Sequence, residues 1–392
     1  MELRKIYNPM RFRATLSGLF LTGLLLILPS CGFVEETNLL FLGPAYTDWW
    51  DEAWSSRRQL TFNNGAQSED LLNFPVLVRL NNDRINYGRT QDNGSDLRFV
   101  DAAGNVLSHE IEQWNEGGES LVWVKVARIN GGSTSDAIWM YYGNDFTTDG
   151  QDAQDVWEAG YLGVWHLSEI SSGTHADSSA SGNDAGRSGN VYEAAGAVNG
   201  AQRFDGNDDY IDAGDIDALD TPGSFSILIW FTRNAETAGA TNHGVNNVLV
   251  AQSSDASNDN LEIGTSGTSV EIYLDTGSGA ADTLVTHDAG IVNAGLYCLF
   301  LTYDQVDANE LKLYMGGSLA TQWNQFTGTL DDSAASPLTF GIARGGGSNW
   351  GDFNGVIDEA RVSDTARSAD WVAAQYESMS DGFVSYGEEQ NL

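Results

Sequence analysis

Residues 204–215 read FDGNDDYIDAGD, and the choice between a metal-binding loop and a β-turn here decides the fold. Five aspartates and one asparagine crowd these twelve positions. An EF-hand loop requires glycine at its sixth position and a bidentate glutamate at its twelfth. Counted from Asp205, those places hold Tyr210 and Ile216, so that reading fails. The alternative makes Phe204 the inward-pointing end of one strand. DGND is then a turn whose Asn and Asp side chains bond their own backbone. Tyr210, Ile211 and Asp212 begin the next strand, with Ile211 facing opposite to its two neighbours. Asp205, Asn207, Asp208 and Asp209 leave two readings open at this sheet rim. They form a purely structural turn, or they contribute to a Ca²⁺ site, since calcium takes six to eight oxygens.

Working outward, the same period of two recurs along most of the chain. In FPVLVRL, Phe74, Val76, Val78 and Leu80 share a face. In SLVWVKVARI, Val122, Val124 and Val126 share another, with Trp123 and Lys125 opposite. Turns such as DAAGN and NGGST separate these strands, so residues 48–148 read as an antiparallel sandwich. The polar connection DFTTDGQDAQDVWE supplies a linker at 149–158. A second run of strands follows over 159–388: SFSILIWFTR, NVLVAQS, LEIGTS, SVEIYLD, LYCLFLTYD, LKLYMGG, PLTFGIA and GVIDEARVS. Forty-four glycines against six prolines suit the many tight turns of such an architecture. SADWVAAQYESM is the one helix expected, capped by Ser368, with Trp371/Gln375 and Val372/Tyr376 four apart on its surface. The fold class is therefore all-β: two tandem antiparallel sandwiches with one short C-terminal helix.

Two resemblances accompany these motifs. WDEAWSSRRQLTFNN, FPVLVRL, DLRFVDAAGNVLSHEIEQW, VWVKV and IWMYYGN resemble the bacterial domain of unknown function 2341. That resemblance implies an extracellular or periplasmic setting, sometimes beside transport components, and little else. GVWHLSE, DSSASGNDA, RFDGNDDYIDAG, SFSILIWF, LYCLFLTYD, LKLYMGG and FNGVIDEARVSDTARSADWVAAQY resemble the concanavalin A-like, laminin G-type jelly rolls. The second resemblance implies a jelly roll whose rim loops recognise ligands, and in that family the 177–185 loop often lies near the strand corresponding to the one that carries Asp358.

The N-terminus is a separate object. Arg4, Lys5, Arg11 and Arg13 precede an apolar run from Leu16 to Leu28, which fits a secretory signal over 1–30. The run closes with LPSC, which resembles the bacterial lipobox and implies a lipid on Cys31, with residues 31–47 as a tether and an outer-membrane or cell-surface location. Without residues 1–30 the chain carries 54 acidic against 15 basic side chains, a formal charge of −39. Such a surface repels nucleic acid and anionic headgroups. With Cys31 lipidated, Cys298 has no disulfide partner and reads as a small buried hydrophobe in mid-strand.

The candidate chemistry is sparse. Asp177 and Asn183 offer oxygens from a glycine-bent loop, either as a plain turn or as calcium ligands. Alternation puts Val356, Asp358, Ala360 and Val362 on one face, where an ionised aspartate needs a partner. Arg344 or a cation would serve, unless Asp358 lies at an exposed strand end. Glu110, Glu112 and Trp114 in HEIEQWNE share a strand face by the same count, but lack the pattern of a glycosidase carboxylate pair. His166 reads as a satisfied packing residue beside a core tryptophan. No pair of the five histidines has metal-ligand spacing. Trp323 and Trp350 sit in polar loops from which an indole could stack on a sugar ring. These observations lead to a non-catalytic envelope protein whose expected partner is a glycan or envelope polymer, assisted by Ca²⁺ if the acidic loops are loaded. A structural or assembly role and a polysaccharide-degrading enzyme are the alternatives.

Overall fold

The computed structural model describes residues 49–392 except 171–172, 256–257, 277–282, 306–309, 331–335 and 346–347. Cys31, the signal and the tether lie outside the described residues. No helix among the described residues is long and apolar enough to cross a membrane.

Alternating strands force each sheet to bury one face or both, and here four sheets stack in sequence. The first is ordered Val384–Asn391, Ser56–Phe62, Ala137–Tyr142, Arg98–Val100, Val106–Leu107. The second is Leu71–Leu80, Ser120–Ile129, His109–Gln113. Leu60, Phe62, Phe99 and Met140 of the first meet Phe74, Val76, Val122 and Val124 of the second in one core. The third sheet runs Tyr192–Ala195, Gly200–Asp205, Asn354–Ser363, Ser224–Ala235, Leu296–Asp304, Glu310–Met315, Ser318–Trp323, with Tyr161–Trp165 also paired to Asn354–Ser363. The fourth runs Thr283–Asp288, Ser269–Leu274, Asn258–Ser266, Val248–Asp255, Pro337–Phe340, Tyr210–Asp215, Ala185–Ser188, Thr174–His175. Phe204, Ile227, Ile229, Leu299 and Ile357 meet Ile211, Ile263, Ile272 and Phe340 between these two sheets. All pairings are antiparallel.

A third core joins the second sheet to the third. Leu77, Leu121 and Trp123 pack against Val164, Leu228, Trp230, Cys298, Phe300 and Tyr314. Trp123 and Lys125 do face away from the first core, and that opposite face is what docks. Cys298 is buried in mid-strand, as expected, and is a free thiol among the described residues.

The two modules are less separate than their sequence suggests. The expected linker contains a one-turn helix, Ala153–Val156, and buries both Val156 and Trp157 in the joining core. Lys125 Nζ anchors it through Asp155 and Glu158 at 2.6 and 2.9 Å. The C-terminus then crosses back. The Ala369–Met379 helix, capped by the Ser368 side chain as expected, sends Trp371 and Ala374 into the first sandwich and Val372 and Met379 into the joining core. The last strand, Val384–Asn391, pairs with Ser56–Phe62 along its length. The expected end of the jelly roll at 388 therefore divides a strand that belongs to the first sandwich. The hydrophobic alternation of that strand is weak, and its partner lies some 330 residues away, so nothing local reveals the return.

Candidate functional site

The 204–215 stretch folds as the turn reading requires. Phe204 and Ile211 enter the inter-sheet core, while Tyr210 and Asp212 stand on the outward face of the fourth sheet. In the turn, Asp205 Oδ1 accepts from the Asn207 amide at 2.9 Å, and the buried Asp209 accepts from the amides of Asp205 and Asn190. Burial raises the Asp209 pKa above its ordinary value. Asp205, Asn207 and Asp208 are exposed. Asp177 accepts from the amides of Val164, Ser179 and Asn183 at 2.8–2.9 Å, and from Ser179 Oγ, so its carboxylate pins the loop to the Tyr161–Trp165 strand. Asn183 completes the clasp by donating to Leu162 O. The proposed calcium ligands thus lie in three separate places, because Asp358 is elsewhere again.

Asp358 shares a face with Val356 but not with Ala360 and Val362. The strand slips register opposite Ile229, where Glu359 takes a left-handed φ of 52°. That bulge keeps Ile357, Ala360 and Val362 in the jelly-roll core and turns Asp358 and Arg361 towards the first sandwich. Asp358 Oδ2 accepts from the amides of Ala197 and Val198, not from Arg344. Burial, and then the Glu359 charge, raise its pKa well above the carboxylate range.

Arg344 instead pairs with Asp212 on the fourth sheet. Its Nη1 lies 2.6 Å from Asp212 Oδ2, and its guanidinium stands 5.5 Å from the Tyr210 ring centre. The two charged side chains remain 39% and 27% exposed. Arg344 is carried on a hairpin, Ala343–Gly345 with Ser348–Trp350, that folds over the sheet, and Ser253 Oγ donates to its carbonyl. Trp350 lies against Gly345 so closely that a Cβ there would come within 1.8 Å of the ring. Beside the hairpin, His243 stacks on Tyr273 at 3.8 Å and approaches Glu262, which also accepts from Thr241 Oγ1 at 2.6 Å. Trp323, by contrast, sits on the edge strand of the third sheet and packs against the inter-sheet core.

A second constellation, unforeseen as a unit, lies in the joining core. A bulge between Ile111 and Gln113 leaves Glu112 as the extra residue, so Glu110 and Glu112 face the jelly roll while Trp114 turns to the first core. Trp114 therefore does not share their face. His166 Nδ1 lies 2.6 Å from Glu359 Oε1 and 3.5 Å from Glu112 Oε2, and its Nε2 lies 3.3 Å from Glu110 Oε2. The ring is stacked near Trp123 and tilted against Trp157. Arg361 pairs with Glu359 and sits 4.3 and 4.6 Å from the centres of those two indoles. Burial opposes charge on His166, but Glu359, Glu112 and Glu110 outweigh it and hold the imidazole pKa well above normal. Burial pushes Glu112 up to about 8. Glu359 stays low despite burial, because His166 and Arg361 favour its anion. The legible signals were the adjacent Asp-Glu pair in mid-strand and the Glu-x-Glu alternation. Their convergence on His166 depends on how the modules dock.

Residues 205–373 match the concanavalin A-like lectin/glucanases superfamily. The second sandwich is a concanavalin A-like domain. Residues 93–176 match the domain of unknown function DUF2341, which covers the end of the first sandwich and the crossing into the second. No curated protein matches the chain. Among solved structures, domain 4 of AbnA, an extracellular arabinanase from Geobacillus stearothermophilus in complex with arabinotriose, is 17% identical at a TM-score of 0.40, over 55% of this chain and 98% of that one. The binding domain of Paraclostridial Mosquitocidal Protein 1 is 13% identical at 0.42, over 56% and 52%. The receptor-binding domain of botulinum neurotoxin D is 14% identical at 0.40, over 56% and 52%. This chain spans about half the length of those two toxin domains.

Proposed function

We propose that the protein is a non-catalytic carbohydrate-binding protein of the bacterial envelope, reading a glycan or envelope polymer on the outer face of its concanavalin A-like domain. The observation that carries this reading is the half-exposed Arg344–Asp212 pair set beside Tyr210, with Trp350 on the same hairpin as Arg344. A guanidinium and a carboxylate held in register offer donors and acceptors to vicinal hydroxyls, and the neighbouring Tyr210 ring offers an apolar face to a pyranose or furanose. Both groups sit on a hairpin and a strand braced by the core beneath, the usual placement for recognition on a rigid scaffold.

Binding without catalysis is favoured by the carboxylates of this face. Asp212 is engaged by Arg344, Glu262 by Thr241 and His243, and Glu271 by Asn246. Glycoside hydrolysis needs two carboxyl groups free to flank one bond. Anchoring through Cys31 would hold this surface at the envelope. Affinity electrophoresis against a panel of polysaccharides, with calcium and with chelator, tests the reading. At least one polymer should retard the protein. The Arg344→Ala/Trp350→Ala variant should bind it at least tenfold more weakly with an unchanged melting temperature, since a lost charge-assisted hydrogen bond alone is worth about 1.5–3 kcal/mol. Release of reducing ends, or undiminished binding by the variant, would overturn it. The chelator arm decides whether calcium at the 205–209 rim takes part.

A further inference from the structure

We propose that Glu112, His166 and Glu359 form a binding site for one divalent transition-metal ion of the zinc class, set in the joint between the two sandwiches. The three offer one nitrogen and two oxygen ligand atoms that all lie within 4.8 Å of one another. Bonds of about 2.0–2.2 Å to such an ion place ligand atoms roughly 3.3 Å apart in a tetrahedral shell. His166 Nδ1 stands 3.5 Å from Glu112 Oε2 and 2.6 Å from Glu359 Oε1. The ion would take the place of the proton now shared on the shorter of these two lines, which must open by less than 1 Å on this estimate.

Each of the three is held from behind by a group of its own, the arrangement that orients metal ligands. The second ring nitrogen of His166 faces Glu110, itself fixed by Trp157 Nε1 and Ser178 Oγ, each at 2.6 Å. Glu112 Oε2 accepts from Trp123 Nε1 at 2.8 Å. Glu359 is braced by Arg361.

An independent observation points to an occupant. Glu112 Oε1 has no hydrogen-bond partner although the side chain is only 1% exposed. A buried carboxylate oxygen left without a partner is costly. One imidazole and few oxygens disfavour calcium, which needs six to eight oxygen ligands, and suit zinc-class ions. The site lies on the opposite side of the jelly roll from the glycan face and stands independently of that reading.

The test uses the untagged chain from residue 32, unfolded in urea and refolded with two equivalents of Zn²⁺ or with EDTA. After gel filtration, bound metal is measured by elemental analysis and stability by thermal melting. One retained equivalent and a higher melting temperature in zinc are expected for the wild type. Glu112→Gln keeps an acceptor for Trp123 and should retain less than a fifth as much zinc, with the melting shift abolished. Should Glu112→Gln fail to refold, His166→Gln is judged by the same two readings. Co²⁺ substituted for Zn²⁺ should give the visible absorption of a low-coordinate imidazole–carboxylate site, and adding Zn²⁺ should bleach it. Less than about a tenth of an equivalent on the refolded wild type would overturn the proposal. So would zinc retention undiminished in a folded variant, which would place the ion elsewhere.

Discussion

Replacing Arg361 by methionine probes the joint between the sandwiches most sharply. Its side chain is 2% exposed, its guanidinium pairs with the fully buried Glu359, and it lies between Trp123 and Trp157. Removing one partner of a buried pair leaves the other charge uncompensated, at a cost of about 3–5 kcal/mol. The lost cation–π contacts add up to about 2 kcal/mol, of which methionine–aromatic contact returns about 0.3–1.5. A net loss of about 4 kcal/mol is a large share of the roughly 5–15 kcal/mol that holds a folded domain. Urea titrations in chelator, followed by tryptophan fluorescence and by far-ultraviolet circular dichroism, would measure it. Both probes should fall together at a lower midpoint. The double variant Arg361→Met/Glu359→Gln should recover at least 1–2 kcal/mol, because it removes the stranded charge. A loss below about 1 kcal/mol, or a double variant no better than the single, would refute the claim that a paired charge network holds the joint.

Acid should weaken the protein through His109. Its ring is buried against Phe99, and burial, reinforced by Arg98 and only partly opposed by Asp149 and the Leu107 backbone, lowers its pKa to about 4. The unfolded chain binds this proton below about pH 6.5 and the folded chain only below about 4. Stability is therefore complete above pH 6.5 and falls between the two values, by about 3 kcal/mol at roughly 1.4 per pH unit. His109→Leu should flatten that limb in melts from pH 7 to 4, whereas an unchanged slope would assign it to other groups. Deleting residues 384–392 should lower the melting temperature and cause association, since it bares the Ser56–Phe62 edge. Unchanged melting and a monomeric elution profile would show that the returning strand is dispensable.

Much of the architecture was legible because alternation is a local signal. Phe74, Val76 and Val78, or Val122, Val124 and Val126, announce their buried face within seven residues. The helix was legible for the same reason, through Ser368 and the apolar positions behind it. What escaped was whatever a bulge or a long-range contact decides. One extra residue reverses the face of everything after it. That is why Ala360 and Val362 leave the face of Asp358, and Trp114 that of Glu110 and Glu112. The Arg344–Asp212 pair joins residues 132 positions apart, and the imidazole–carboxylate cluster draws on three separate strands or strand ends. Of the residues singled out for sugar contact, Trp350 lies on the hairpin that carries Arg344, while Trp323 packs against the inter-sheet core. Tyr210 and Asp212 belonged to the decisive stretch from the start, but only the fold shows what they face.

The glycan reading is tested most directly by hydrogen–deuterium exchange on the protein saturated with the polysaccharide fragment that it retains best. Protection is predicted at 208–213, 241–246, 343–345 and 348–350, the segments around Arg344 and Asp212. Protection confined to the first sandwich or to the 177–183 loop, with none around Arg344, would contradict it.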